Sequence, residues 1–199
     1  SLQSITLLSD SDSASLSIPH SDGDYFMASL QTISLQSEDR AQLSISASAN
    51  RYDNDEDNAA PGDEVVIQLT GSFFMQSLET ITLDSNASYA SISISHDGSA
   101  FFMQSLLSME VTTAQRAEIS LSNSANYEDA TGDNFMQSLD SILIASDGEG
   151  RASLSISNDG GDFFANALTE ITVSSGALGT YRAVVDISTS TSDFATTGI

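Results

Sequence analysis

The chain of 199 residues contains no cysteine and no lysine, and its five cationic side chains, all arginine, face 28 acidic ones. Without cysteine no disulfide can cross-link the chain. The absence of cysteine is compatible with any compartment, including the outside of a bacterial cell. The net charge of −23 repels nucleic acid and anionic membrane surfaces and attracts multivalent cations. The composition therefore argues against a nucleic-acid-binding protein.

The sequence also has no signal peptide and no apolar run long enough to span a membrane. Ser1 and Leu2 fall in the middle of a repeat, so we expect the chain to be a piece of a longer repetitive protein. The richness in serine and threonine, the acidity and the lack of lysine and cysteine are together typical of a secreted protein. We therefore expect an extracellular or cell-surface location without membrane insertion.

The usual parts of a catalytic site are scarce. The two histidines, His20 and His96, occupy the same place in two copies of a repeat, which favours surface features over an acid–base pair. Nucleophilic catalysis lacks a cysteine and a Gly-x-Ser-x-Gly turn. The only support for a catalytic pair of carboxylates, as in glycosidases, is the general abundance of acidic residues. We predict that the protein is not an enzyme.

Two apolar phrases return six times along the chain. The first phrase reads Leu2/Ile5/Leu7, Leu30/Ile33/Leu35, Leu78/Ile81/Leu83, Leu106/Met109/Val111, Leu139/Ile142/Ile144 and Leu168/Ile171/Val173. The second reads Ala14/Leu16/Ile18, Ala41/Leu43/Ile45, Ala90/Ile92/Ile94, Ala117/Ile119/Leu121, Ala152/Leu154/Ile156 and Ala183/Val185/Ile187. A Phe-Met pair opens most copies and is best explained as core packing. Such self-similarity predicts a repeat architecture.

The repeats divide the chain into one repetitive β domain over residues 1–199. Its expected units are residues 1–25, 26–73, 74–101, 102–134, 135–163 and 164–187, followed by a tail at 188–199. The second unit is longer because it carries an acidic insertion at residues 47–71. Most remaining length variation falls in Gly-, Asn- and Asp-rich turns.

The fold class predicted is all-β. Strict alternation of apolar residues, as over residues 90–94, indicates a strand with one buried face. Stacking the repeats would align the Leu, Ile and Ala positions inside a β-solenoid of about six coils. Serines would line the outside, at Ser17, Ser44, Ser93, Ser120 and Ser155. The alternative is an antiparallel β-sandwich built from repeated hairpins.

The strongest local motif is an acidic loop within the insertion. Its acidic side chains stand at the first, third, fifth and twelfth positions of an EF-hand-type calcium loop, with a backbone carbonyl at the seventh. The candidate calcium ligands are Asp53, Asp55, Asp57, Ala59, Asp63 and Glu64. The loop has Asn58 where glycine is usual, and no flanking helices are predicted. The alternative is an acidic insertion that binds no ion.

Weaker cation sites are expected at four other acidic corners. They are Asp22 with Asp24, Asp129 with Asp133, Asp147 with Glu149, and Asp159 with Asp162. Ordinary turn chemistry explains each of them equally well.

Four of the five arginines stand immediately before the repeat alanine, at Arg40, Arg116, Arg151 and Arg182. One interpretation is that they neutralise nearby carboxylates such as Glu38, Asp39 and Glu149. Exposed pairs of this kind contribute about 0–1 kcal/mol each. The other interpretation is a basic stripe that docks an anionic glycan or a neighbouring subunit.

The phrase at residues 74–83, followed by residues 90–94, resembles repeats of secreted bacterial surface-layer proteins and repeats-in-toxin-associated adhesins. The resemblance implies β-solenoid coils and calcium dependence, although the Gly-Gly-x-Gly-x-Asp repeat of that group is missing. We therefore expect a non-enzymatic extracellular protein that assembles with copies of itself into a calcium-stabilised surface layer, sheath or filament. The alternative is a glycan-binding or adhesion module with polysaccharide as its partner.

Overall fold

A computed structural model describes residues 1–20, 25–48, 73–97, 101–123, 134–148, 150–158, 163–164, 167–176 and 182–189. These residues form strands and turns and contain no helix. The strands belong to three sheets, two of six strands and one of five. Every strand pairing among them is parallel.

The first sheet is built from the Leu-x-x-Ile-x-Leu phrase. Its strands are β1 (Ser4–Ser9), β4 (Thr32–Ser37), β7 (Thr80–Ser85), β10 (Ser108–Thr113), β13 (Ser141–Ser146) and β16 (Glu170–Ser175). The strands in the middle of the sheet alternate between buried and half-buried residues, because side chains two apart point to the same face.

The second sheet is built from the Ala-x-Leu-x-Ile phrase. Its strands are β2 (Ser13–His20), β5 (Arg40–Ser48), β8 (Tyr89–Asp97), β11 (Arg116–Asn123), β14 (Ala152–Asn158) and β17 (Ala183–Thr189). The third sheet is made of two-residue strands at the Phe-Met corners. They are β3 (Tyr25–Phe26), β6 (Phe73–Phe74), β9 (Phe101–Phe102), β12 (Asn134–Phe135) and β15 (Phe163–Phe164).

Each strand pairs with the strands three places before and after it along the chain. One strand from each sheet, in chain order, therefore makes a unit that we call a rung, and the described strands form rungs 1 to 6. Rung 1 is β1, β2 and β3, whereas rung 6 is described only by β16 and β17. This arrangement is all-β and parallel, and it is compatible with the predicted β-solenoid.

The register confirms the predicted ladders. Ala14 pairs with Ala41, and the row continues through Ala90, Ala117, Ala152 and Ala183. The Leu/Ile rows of both sheets continue in the same way. The antiparallel sandwich is wrong for the described residues, because a repeated hairpin would pair neighbouring phrases antiparallel.

The apolar sides of the two long sheets meet in one core. The cluster includes residues from both sheets, such as Leu35 and Leu43, each 1% exposed. On the opposite side of the second sheet all five serines predicted to face outward are exposed. They are Ser17, Ser44, Ser93, Ser120 and Ser155. The predicted assignment of inner and outer positions is therefore confirmed.

The Phe-Met corners share an unusual backbone conformation. The methionines have positive φ angles of 47°, 46°, 48° and 50° at Met27, Met75, Met103 and Met136. The carbonyl of each accepts a hydrogen bond from the leucine N–H three residues later, at 3.0–3.1 Å. A left-handed conformation costs an L-residue about 1–2 kcal/mol, so the repeated corner is held in place by packing.

The corner between β13 and β14 is longer than the corner between β10 and β11 in the preceding rung, and it requires glycine. A Cβ on Gly150 would lie 1.3 Å from the carbonyl oxygen of Gln115 in the rung below, and one on Gly148 would lie 2.2 Å from that of Ala114. Gly148 and Gly150 therefore fit only because glycine has no Cβ, which lets their backbone lie directly against the preceding rung.

Candidate functional site

The predicted calcium ligands at residues 53–64 lie outside the described residues, and so do three of the four weaker acidic pairs. Asp147 is described and is exposed, while its expected partner at position 149 is not described. Over the described ranges, no group of three or more His, Asp or Glu side chains is placed to hold a metal ion. The calcium loop stays a prediction from the sequence.

At the corner between the two long sheets, buried serine side chains bind rungs 2, 3 and 5 to the rung before them. Ser85 is 1% exposed, and its Oγ donates a hydrogen bond of 2.6 Å to the carbonyl of Asp39. Ser37 donates in the same way to the carbonyl of Asp12, and Ser146 to that of Gln115. A buried hydroxyl is stable only when it is hydrogen-bonded, so these residues fix how successive corners stack.

A second buried polar row runs along the end of the second sheet. The Nδ1 atom of His96 lies 2.6 Å from Oδ1 of Asn123, whose Nδ2 donates a 2.7 Å hydrogen bond to Oδ1 of Asn158. These side chains are 2%, 2% and 5% exposed. The expectation that the histidines are surface features is therefore wrong for His96, which is part of the core, while His20 is half-buried.

Aromatic rings stack beside this polar row. Phe26 and Phe74 lie 5.3 Å apart between ring centroids, and Phe74 and Phe102 lie 4.8 Å apart. The two histidine rings lie against this stack, with His20 4.5 Å from Phe26 and His96 4.6 Å from Phe102. The predicted packing role of the Phe-Met corner is confirmed at Phe74, Met75, Phe102 and Met103, all at most 1% exposed.

The four row arginines are exposed, and Arg116 pairs with a carboxylate of its own strand, whereas Glu149 lies outside the described residues. The carboxylate of Glu38 accepts a hydrogen bond from Asn86, and that of Asp39 accepts one from Ser88. Within the described part of the chain, the only ion pair joins Arg116 to Glu118 at 2.6 Å. The interpretation that Glu38 and Asp39 are neutralised by arginine is therefore wrong there.

Tyr89 occupies the row position between Arg40 and Arg116. The guanidinium carbons of the two arginines lie 5.8 Å and 5.7 Å from the centre of the Tyr89 ring, which is the range of cation–π contact. The Tyr89 hydroxyl donates a 2.9 Å hydrogen bond to Glu118. The hydrogen bond and negative charge of Glu118 raise the pKa of Arg116 above its ordinary value. This group is a fixed, charged patch on the outer corner.

The outermost strands have a described partner on one side only. They are β1 and β2 in rung 1 and β16 and β17 in rung 6. In β17 the core positions are uncovered, with Val185 50% and Ile187 45% exposed, whereas Leu154 and Ile156 one rung below are 1% and 3% exposed. Among the described residues, rung 6 therefore forms the edge of both long sheets and presents an apolar surface.

The two buried polar rows were not predicted, although the sequence contains a signal for them. Ser85 stands two residues after Leu83, and Asn123 stands two residues after Leu121, so period-two alternation places both on the inner face. Their partners are backbone or side chains of the neighbouring rung, which no local pattern identifies.

No protein-family model matches the chain, and no curated protein or solved structure matches it either. The stretches that the structure describes hold no helix long and apolar enough to cross a membrane. The resemblance to bacterial surface-layer and adhesin repeats therefore stays a prediction.

Proposed function

We propose that the chain is a β-solenoid segment of a non-enzymatic, extracellular structural protein that assembles with copies of itself. The products would be a surface layer, a sheath or a filament, stabilised by calcium. The observation that carries the proposal is the uncovered core of rung 6, where Val185 and Ile187 are 50% and 45% exposed. The parallel rungs, each bonded only to its neighbours, support the solenoid architecture.

The open rung favours association for two physical reasons. Full burial of a valine or isoleucine side chain contributes about 1.5–3 kcal/mol, so covering the exposed half of each contributes about 1 kcal/mol. The outer edges of β16 and β17 have no partner strand within the described ranges, and a strand edge of this kind pairs readily with another strand unless it is blocked. Both contributions are gained at the same surface.

Charge opposes association, and calcium would reduce this repulsion. Two copies that each carry a net charge of −23 repel one another. A divalent cation lowers this repulsion, and the acidic loop formed by Asp53, Asp55, Asp57, Ala59, Asp63 and Glu64 has the oxygen pattern that calcium prefers. The extracellular location is supported by the acidity and by the richness in serine and threonine.

The test is light scattering and electron microscopy of the purified chain over a range of protein concentrations. We expect regular assemblies in millimolar calcium and their loss on addition of chelator, with sodium chloride of equal ionic strength as the control. A chain that stays monomeric with calcium at every concentration would contradict the structural role.

A second candidate, a glycan-binding module of an adhesin, is favoured by the arginine row. Arg40, Arg151 and Arg182 are exposed and have no ion pair among the residues described. Their guanidinium groups can form bidentate hydrogen bonds with carboxylate or sulfate groups. A glycan array distinguishes the two roles: binding of anionic polysaccharide by a monomer, lost in the triple Arg→Gln variant, would favour the adhesin.

A further inference from the structure

We propose that a shallow groove on the outer side of the second sheet binds an acidic polysaccharide, and that Arg40 holds a carboxylate or sulfate group of that polymer. The groove crosses rungs 1 to 3 and has a volume of about 210 Å³. The inference rests on the second candidate function, glycan binding, and adds the place of the site and the chemical class of its ligand. It requires no particular arrangement of copies of the chain.

Polar, uncharged side chains line the groove. Apart from Leu16 and Leu43, which pack in or against the core, the lining residues carry hydroxyl or amide groups. The strand register sets them in two rows, which are Ser15, Gln42 and Ser91, and Ser17, Ser44 and Ser93. Neighbouring rungs are about 4.8 Å apart, and alternate residues of one strand are about 6.6 Å apart. Because hydroxyl and amide groups both donate and accept hydrogen bonds, this grid suits the hydroxyl groups of sugars.

Arg40 lies at one edge of the groove, two residues before Gln42 in β5, so both side chains are on the same outer side of the sheet. The Tyr89 ring stands beside it, with 5.8 Å between the ring centre and the guanidinium carbon. This cation–π contact restrains the side chain and leaves its N–H donors available, since Arg40 has no ion pair within the described ranges. A guanidinium group binds carboxylate or sulfate through paired hydrogen bonds. Arg40 is therefore positioned in advance for one anionic group of a polymer in the groove.

The charge around the groove differs from that of the chain as a whole. None of the described residues that line it is charged, although the chain carries 28 acidic side chains. One acidic residue, Glu118, lies beside the groove, opposite Ser91. Its carboxylate is already bound by Arg116 at 2.6 Å and by the Tyr89 hydroxyl at 2.9 Å. The groove is therefore a place where a polyanion can lie against this acidic chain without facing an unpaired carboxylate on the paired strands.

The shallow form of the groove indicates a polymer rather than a single sugar. Sites for small molecules enclose most of the surface of their ligand, whereas this groove is open along a strip of three rungs, about 10 Å long. One sugar unit therefore binds weakly. When several units of one polymer bind copies of the chain that are held close together, the effective concentration at each further site rises, and the overall affinity rises with it.

The experiment is biolayer interferometry of the chain on immobilised hyaluronan, which carries carboxylates, on dextran sulfate, and on uncharged dextran. We expect the wild type to bind the anionic polymers and not dextran. R40Q should weaken this binding about tenfold, because a hydrogen-bonded contact with a charged group is lost. The matched control is R151Q, since Arg151 is also exposed and lies in the same row three rungs away. It should change the affinity less than about twofold.

Filling the groove gives a second, independent measurement. S44F places an aromatic ring in the groove, while S155F places the same ring at an exposed position of the same serine row, three rungs away. We expect S44F to weaken the binding of anionic polymer as strongly as R40Q does, and S155F to bind as the wild type. All variants should keep the circular dichroism of the wild type, because the substituted side chains lie outside the core.

Each other outcome overturns the inference. Binding of anionic polymer that R151Q weakens as much as R40Q, or that S44F leaves unchanged, would refute the groove while leaving the glycan-binding candidate in place. Equal affinity for uncharged dextran would refute the acidic ligand. A wild type that binds none of the three polymers would remove both the groove and the glycan-binding candidate, and the structural role would be unaffected.

Discussion

Phe74 and Phe102 lie face to face in successive rungs, with their ring planes 2° apart and their centroids separated by 4.8 Å. Phe74 also stacks on Phe26, so its ring is covered on both faces. Truncation of a buried phenylalanine costs about 3–5 kcal/mol. We expect F74A to lose that much free energy of unfolding in urea titration and F26A to lose less, because Phe26 is only half-buried. Equal losses would contradict the central place of Phe74.

The left-handed methionine corner predicts an unusual order of substitutions at Met103. Both M103A and M103G remove the buried side chain, but only glycine adopts a φ of 48° without strain. We expect M103G to be more stable than M103A by about 1 kcal/mol in urea unfolding.

Met109 provides the matched control for that order, since it is equally buried but lies within strand β10. There alanine should be more stable than glycine, because glycine weakens a strand interior. If alanine were the better replacement at both positions, the strained corner would play no part in stability.

The corner hydroxyl row predicts unequal effects of the same substitution within one rung. S85A removes a buried donor and leaves the carbonyl of Asp39 with one partner fewer, for a loss of about 1–3 kcal/mol. S93A lies on the exposed outer side of the second sheet and should change the free energy of unfolding by less than about 0.5 kcal/mol. Thermal and urea unfolding measured side by side would test the difference.

Calcium removal should destabilise the protein through the acidic loop. We expect a triple variant, D53N/D55N/E64Q, to lose most of the rise in melting temperature that calcium produces in the wild type. Ligand stabilisation grows as the logarithm of calcium concentration over Kd, so titration calorimetry and melting curves should agree. If the triple variant responded to calcium as the wild type does, the ion would bind elsewhere.

The candidate assembly surface could be predicted in part. The strand that carries Val185 follows from the same apolar phrase as the other strands of the second sheet. The exposure of Val185 in rung 6 could not be read from the sequence, because Val185 has the same local pattern as the buried Leu154. Burial at such a position depends on whether another rung lies above it.

The arginine row gives the opposite case. Its alignment was visible from the position before each alanine, yet the partners of the charged groups were not. Arg116 pairs with Glu118 on its own strand, while Asp39 accepts its hydrogen bond from Ser88 in the next rung. Exposed ion pairs are weak, so small differences in side-chain geometry choose among several neighbours.

The amino-acid sequence by itself determined the strands, their inner and outer faces and the rows that like residues form, because alternation with a period of two assigns each side chain to one face of a strand. Only the tertiary structure decided that the strands run parallel, since the same alternation fits an antiparallel pair. It also decided that Met103 takes a left-handed conformation and that Asn123 and Ser85 are satisfied inside the core. Those outcomes depend on atoms of the rungs above and below, which lie about 30 residues away along the chain.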